Sequence, residues 1–228
     1  MKFKVLNTVV AGLIVLVSGA ANAGIINWTD VQNSTDFNDV LNLGSTVEAI
    51  NATDTNTGSV TINGVEFDNS TNLLSKEGFV GALTNSSTGD SSYDALLNSF
   101  DFGNGADVTT LTLGGGDLIA GVDYLIQLWF TDIRIESRDV IVADNAGNTE
   151  TLNAGGTGLG QYIIGTFTAT DTTQELTLDP VGFSNAHITA YQILSAAPAA
   201  ATVSEPSTLA IIALGLMGFA SRRFKKKS

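Results

Sequence analysis

One histidine, His187, and no cysteine occur in the 228 residues, so catalysis would have to rest on oxygen groups. A Ser-His-Asp triad needs a base beside its nucleophile. The sole imidazole opens the apolar run His187 to Leu194, and "GTGLGQ" (156–161) lacks the serine of a nucleophile elbow. His187 therefore reads as a structural strand residue. Zinc and iron–sulfur sites require Cys and His clusters that this chain does not have. Glycoside hydrolysis needs only two facing carboxylates, and 23 Asp and Glu leave it open. A secreted polysaccharide-active hydrolase is thus the alternative to a protein without catalytic activity.

Calcium is the one cofactor for which the sequence makes a case, because it takes oxygen ligands from Asp, Asn and backbone. "DTNTGS" (Asp54 to Ser59) has the spacing of the start of a calcium loop, with Asp54 and Asn56 as candidate ligands. Its fifth position is Gly58 and its twelfth is Val65, so the bidentate acid is missing, and an ordinary Asx turn fits equally. Asp144 and Asn145, in "DNAGNTE", have the same standing. Sugar binding instead uses aromatic faces beside planar hydrogen-bonding groups. In the run Tyr124 to Phe130, strand alternation puts Tyr124, Ile126, Leu128 and Phe130 on one face and Gln127 and Trp129 on the other. The first set is core. Gln127 and Trp129 form either a binding platform or a second packed face. Asp132, Arg134 and Arg138 follow at the exit, as a salt-bridged group or as ligand donors.

These residues must be held by strands, since no helical periodicity of useful length runs between Gly24 and Ser195. "VEAINA" (47–52), "VTTLTL" (108–113), "DVIVAD" (139–144), "QYIIGTFTAT" (161–170), "QELTL" (174–178) and "HITAYQIL" (187–194) are short, apolar and bounded by Gly, Asn and Asp. Asn63-Gly64 inside "SVTINGVEF" (59–67) marks a hairpin. "SYDALLNSF" (92–100) reads as one short helix. About eight strands at this spacing predict an all-β protein, a single β-sandwich or jelly roll. Their order over Gly44 to Leu194 resembles galactose-binding-like and malectin-like modules of exported proteins. That resemblance implies a jelly roll, and carbohydrate contact by analogy of fold.

The two ends are different. Lys2 and Lys4, an apolar run to Ala20 and then Ala21-Asn22-Ala23 form a signal peptide over residues 1–23, with cleavage between Ala23 and Gly24. At the other end, a small-residue linker (195–203) leads to Ser204-Glu205-Pro206. An apolar helix follows (208–220), and then a basic tail (222–227) that begins Arg222-Arg223. The apolar run is short for a bilayer core of about 30 Å at about 1.5 Å per residue. The basic cluster stops translocation with the preceding domain (24–194) outside. This layout resembles the PEP-CTERM sorting signal, with Ser204 in place of the first Pro. The resemblance implies processing by an exosortase and a transient transmembrane helix in the inner membrane. It also implies a cell-surface or extracellular destination in bacteria that make exopolysaccharide.

Two Lys lie in the signal peptide and five basic residues in the tail, which leaves Lys76, Arg134 and Arg138. Only Glu205 of the acids falls outside 24–204, so that segment carries a net charge of −19. Such a surface repels nucleic acid and anionic lipid. Without disulfides the exported domain depends on its core alone. The expected protein is a non-enzymatic cell-surface or matrix component that contacts exopolysaccharide or serves a purely structural role.

Overall fold

The computed structural model describes residues 24–53, 58–75, 77–82, 87–132, 138–153, 158–182 and 185–195, with the backbone alone for 77–82. The elements run β1 (Asn27–Trp28), β2 (Gln32–Asn33), β3 (Ser45–Ala52), β4 (Val60–Ile62), β5 (Val65–Ser70), β6 (Glu77–Ala82), α1 (Ser91–Leu97), β7 (Ser99–Gly103), β8 (Thr109–Leu113), β9 (Asp123–Phe130), β10 (Asp139–Asp144), β11 (Thr149–Asn153), β12 (Gln161–Thr168), β13 (Gln174–Pro180), β14 (His187–Ile188) and β15 (Ala190–Ser195). The eight-stranded sheet has the order β1-β12-β9-β15-β3-β5-β4, with β2 also on β12. Its pairs are antiparallel except β3 with β5. A four-stranded sheet, β11-β10-β13-β8, faces it, and β14-β7-β6 form a smaller third sheet.

Alternation builds the sandwich. Tyr124, Ile126, Leu128 and Phe130 of β9, Ile163 and Phe167 of β12, and Tyr191 and Ile193 of β15 point inward from the large sheet. They meet Leu111, Leu113, Val140, Val142, Leu152, Leu176 and Leu178 from the four-stranded sheet. The predicted hairpin is present. Asn63 and Gly64 both take positive φ, 48° and 81°, as a two-residue turn that matches strand twist requires. Ile62 then lies opposite Val65.

The expected helix is shorter than predicted, and its last residues belong to a strand. Asp90 caps α1 by accepting from the Ser92 and Tyr93 amides. Tyr93, Leu96 and Leu97 then face inward at helical spacing. Asn98 ends the helix, and Ser99 and Phe100 enter β7 because Phe100 and Phe102 stack edge to face, 4.5 Å apart. Five strands exceed the reading of the sequence (β1, β2, β6, β7 and β11), and the predicted run His187 to Leu194 breaks at Thr189 into β14 and β15.

A second core lies on the back of the large sheet. Trp129 packs there with Val40, Ala49, Ile62, Val65, Phe67, Tyr93, Leu96, Leu97 and Ala190. Its polar atoms are paired. The Trp129 indole N–H donates to the Tyr93 hydroxyl at 3.2 Å, and that hydroxyl donates to Asp39 Oδ2 at 3.1 Å. Burial, then the Asp39 charge, pushes the Tyr93 phenol well above its ordinary value. Replacing Tyr93 by Phe leaves the indole N–H buried without its acceptor. We expect a loss of about 1–3 kcal/mol, measured by urea unfolding, with the β-sheet circular dichroism unchanged.

Candidate functional site

Gln127 and Trp129 do not form an open platform. Both are 0% exposed, because the back of β9 is covered by α1, the β4–β5 hairpin and the segment around Asp39 to Leu41. The Gln127 amide donates to the Asp39 carbonyl at 2.7 Å, while its Oε1 accepts from the Leu41 amide and from Gln192. Gln192 stands directly opposite on β15. The pair clamps a loop onto the sheet, so planar hydrogen-bonding groups that suit a sugar are here used on backbone.

The exit of β9 is different. Asp132 is fully buried, and Arg138 Nε lies 3.1 Å from its Oδ2. The guanidinium sits 4.7 Å from the centroid of the Phe102 ring, within cation–π range. His187 packs between rings, 5.4 Å from Phe102 and 5.9 Å from Phe130. Asp101, also buried, accepts from the Leu73 amide at 3.0 Å. Charged and aromatic groups from β7, β9, β14 and the start of β10 thus converge at one end of the sandwich. Ser195, where β15 ends, lies opposite Tyr124 at the other end of β9.

Of the three charged residues singled out at this exit, Asp132 and Arg138 are brought together, and Arg134 lies outside the described residues. Asp101 and Phe102 were missed because "SF" was assigned to the helix. The alternation of "SFDFG" is the signal that would have found them. Trp28, near the start of the domain, lies half-buried across Gly165 of β12. A Cβ at Gly165 would meet its indole at 2.7 Å and Ile26 at 2.5 Å, so the strand is bare there to admit the N-terminal segment.

Asp144 does not stand as a calcium ligand in this arrangement. Its carboxylate accepts N–H bonds from Ile26 (2.7 Å), Ala146 (2.9 Å) and Asn148, both backbone (2.9 Å) and side chain (2.8 Å). A cation would need the oxygens those hydrogens occupy. Asn145 is exposed beside it. Asp54 and Asn56 lie outside the described residues, and among those described no three His, Asp or Glu gather as a metal would require. Burial raises the Asp144 pKa, but the bonds from Ile26, Asn148 and Ala146 outweigh it and hold the carboxyl below its ordinary 3.8. A depressed pKa contributes stability that is complete above the unfolded value and is lost as pH falls through the folded one. Asp144 therefore loosens the N-terminal segment only below about pH 4. Amide exchange at Ile26 measured from pH 5 to 2 should accelerate over that window in wild type, beyond intrinsic rates, and show no such step in Asp144→Asn.

The ion pair generates a second expectation. Arg138→Met removes the cation that faces the buried Asp132 carboxylate, which costs about 3–5 kcal/mol, whereas pairing it with Asp132→Leu recovers part of the loss. A double-mutant cycle by thermal melting reads the coupling.

A family model described as the PEP-CTERM protein-sorting motif matches residues 202–226. The tail itself, with Ser204, Glu205, Pro206, Arg222 and Arg223, lies outside the described residues, as do Ala21 and Ala23. No curated protein matches the chain. Among solved structures it is similar to the ANX2 ectodomain from Arabidopsis thaliana, at 9% identity over 67% of this chain and 52% of that chain, with a TM-score of 0.38. It therefore spans about half the length of that ectodomain. It is also similar to CBM35 from Cellvibrio japonicus Abf62, at 10% identity over 65% of this chain and 94% of that one, TM-score 0.33. A third is the CBM22-1 xylan-binding domain from Paenibacillus barcinonensis Xyn10C, at 15% identity over 70% and 100%, TM-score 0.36. The chain is an exported β-sandwich protein that carries a PEP-CTERM sorting signal and, with it, the implied processing by an exosortase.

Proposed function

We propose that this exported protein is a non-enzymatic component of the cell surface or extracellular matrix. In this reading it contacts exopolysaccharide through the Asp132–Arg138 end of the sandwich. The observation that carries the reading is the position of that end. The chain leaves the domain at Ser195, opposite Tyr124, while Arg138, Asp132 and Phe102 gather beyond Trp129 and Phe130, six residues along the same strand. A domain held by its tail presents this end outward.

The chemistry of the ligand follows from charge. With −19 on the domain segment, a strongly anionic polysaccharide is repelled, so a hydroxyl-rich polymer of low charge is the better partner. Arg138 is partly exposed at 11% of its side chain, and a planar guanidinium fork suits the paired hydroxyls of such a polymer. Arg138→Lys keeps the charge that Asp132 needs and removes the fork.

The test is co-sedimentation of residues 24–203 with purified exopolysaccharide of low charge. Arg138→Lys should weaken binding about tenfold, equivalent to one good hydrogen bond, with the β-sheet circular dichroism unchanged. Equal binding by both proteins would count against the reading, and release of reducing sugar would replace it with a hydrolase. In the cell, deletion of 209–228 should leave the domain unsorted. The same final location with and without the tail would contradict the sorting role.

A further inference from the structure

The first residues of the domain are part of its core. Ile26 is 1% exposed and packs in the larger core. Its amide donates to Asp144 Oδ2 at 2.7 Å, across 118 residues. Two residues earlier, the Gly24 carbonyl accepts from the buried Gln174 amide at 3.2 Å. A Cβ on Gly24 would lie 2.3 Å from the Thr168 carbonyl oxygen, so the backbone runs flush against the end of β12. Beyond it, Trp28 pairs with Gly165, and the Thr29 amide donates to the Ile164 carbonyl at 2.8 Å. Residues 24–29 are thus a latch seated on β12 by one carboxylate, one carboxamide and the space left by Gly165.

The cleavage pattern places the scissile bond immediately before this latch. Hydrolysis of the Ala23–Gly24 amide consumes one water and leaves a carboxylate on Ala23 and an amine on Gly24. A protease must hold the residues on both sides of that bond extended and reachable. Gly24 cannot be so held while its backbone lies against Thr168 and its carbonyl is bonded to Gln174. We infer that removal of the signal peptide and seating of residues 24–29 exclude one another, so the leader is cut only while the latch is open, and a latch that closes first protects the bond. The groove over Gly165, with the Asp144 and Gln174 side chains at its end, is the receptor for the new N-terminus. The inference rests on the export signal read at the N-terminus, not on the polysaccharide reading, and each can fail alone.

The test starts from the purified full-length, unprocessed chain. Folded first and then given the leader-cleaving protease in detergent, it should be cut about tenfold more slowly than Asp144→Ala, which weakens the latch, because cleavage then follows the open fraction. Gly165→Val, which fills the groove, serves as an independent variant, and both are checked for retained β-sheet circular dichroism. The Ile26 amide should be protected in the folded, uncleaved wild type and in neither variant. A mature protein that begins at Gly24 by mass spectrometry is required. A start beyond Ile26, equal cleavage rates in all three chains, or an unprotected Ile26 amide in the folded, uncleaved wild type would each overturn the inference.

Discussion

Burying β9 on both faces forces each polar group it carries to find its partner inside the protein. Toward the larger core it offers only Tyr124, Ile126, Leu128 and Phe130. Toward the back it carries Gln127 and Trp129, and these must be satisfied by something laid over the sheet. The indole N–H finds the Tyr93 hydroxyl on α1, and that hydroxyl finds Asp39. The Gln127 carboxamide takes the Asp39 carbonyl and the Leu41 amide. The helix, the β4–β5 hairpin and the loop before β3 are therefore held in place by the requirements of one central strand.

This arrangement decides where a ligand can approach. An open sandwich would leave one broad face of the large sheet for binding. Here the middle of that face is a second core, and charged and aromatic groups gather at the strand ends. The Asp132–Arg138 pair, with Phe102 and His187 beside it, is such a place. Asp132 is buried, and the pair lies at the opposite end of β9 from Ser195.

Much of this was legible in the sequence for simple reasons. Period-two alternation in Tyr124 to Phe130 fixed which side chains share a face, and Asn63-Gly64 fixed a turn through its positive φ values. The basic tail was legible because charge and hydropathy need no tertiary context. What alternation alone left open was whether the second face of β9 is wet. That depends on α1 and on Asp39, 90 residues before Trp129 in the chain. Strands of two residues, such as β1 and β2, carry no periodicity to read. The donors around Asp144 were likewise hidden, since Ile26 comes from 118 residues away and nothing local to "DNAGNTE" announces it.

The position of β15 has a mechanical meaning. Its last residue, Ser195, leads to the tail, and the strand lies between β9 and β3, in register with β9 from Ala190 to Ser195. A pull applied between Ser195 and the far end of the sandwich would run along this strand. Its hydrogen bonds to both neighbours are then loaded side by side in shear and must fail together. Were β15 an edge strand pulled sideways, the same bonds would open one after another, like a zip. A load applied at Ser195 would therefore meet the part of the sheet that best resists being drawn out.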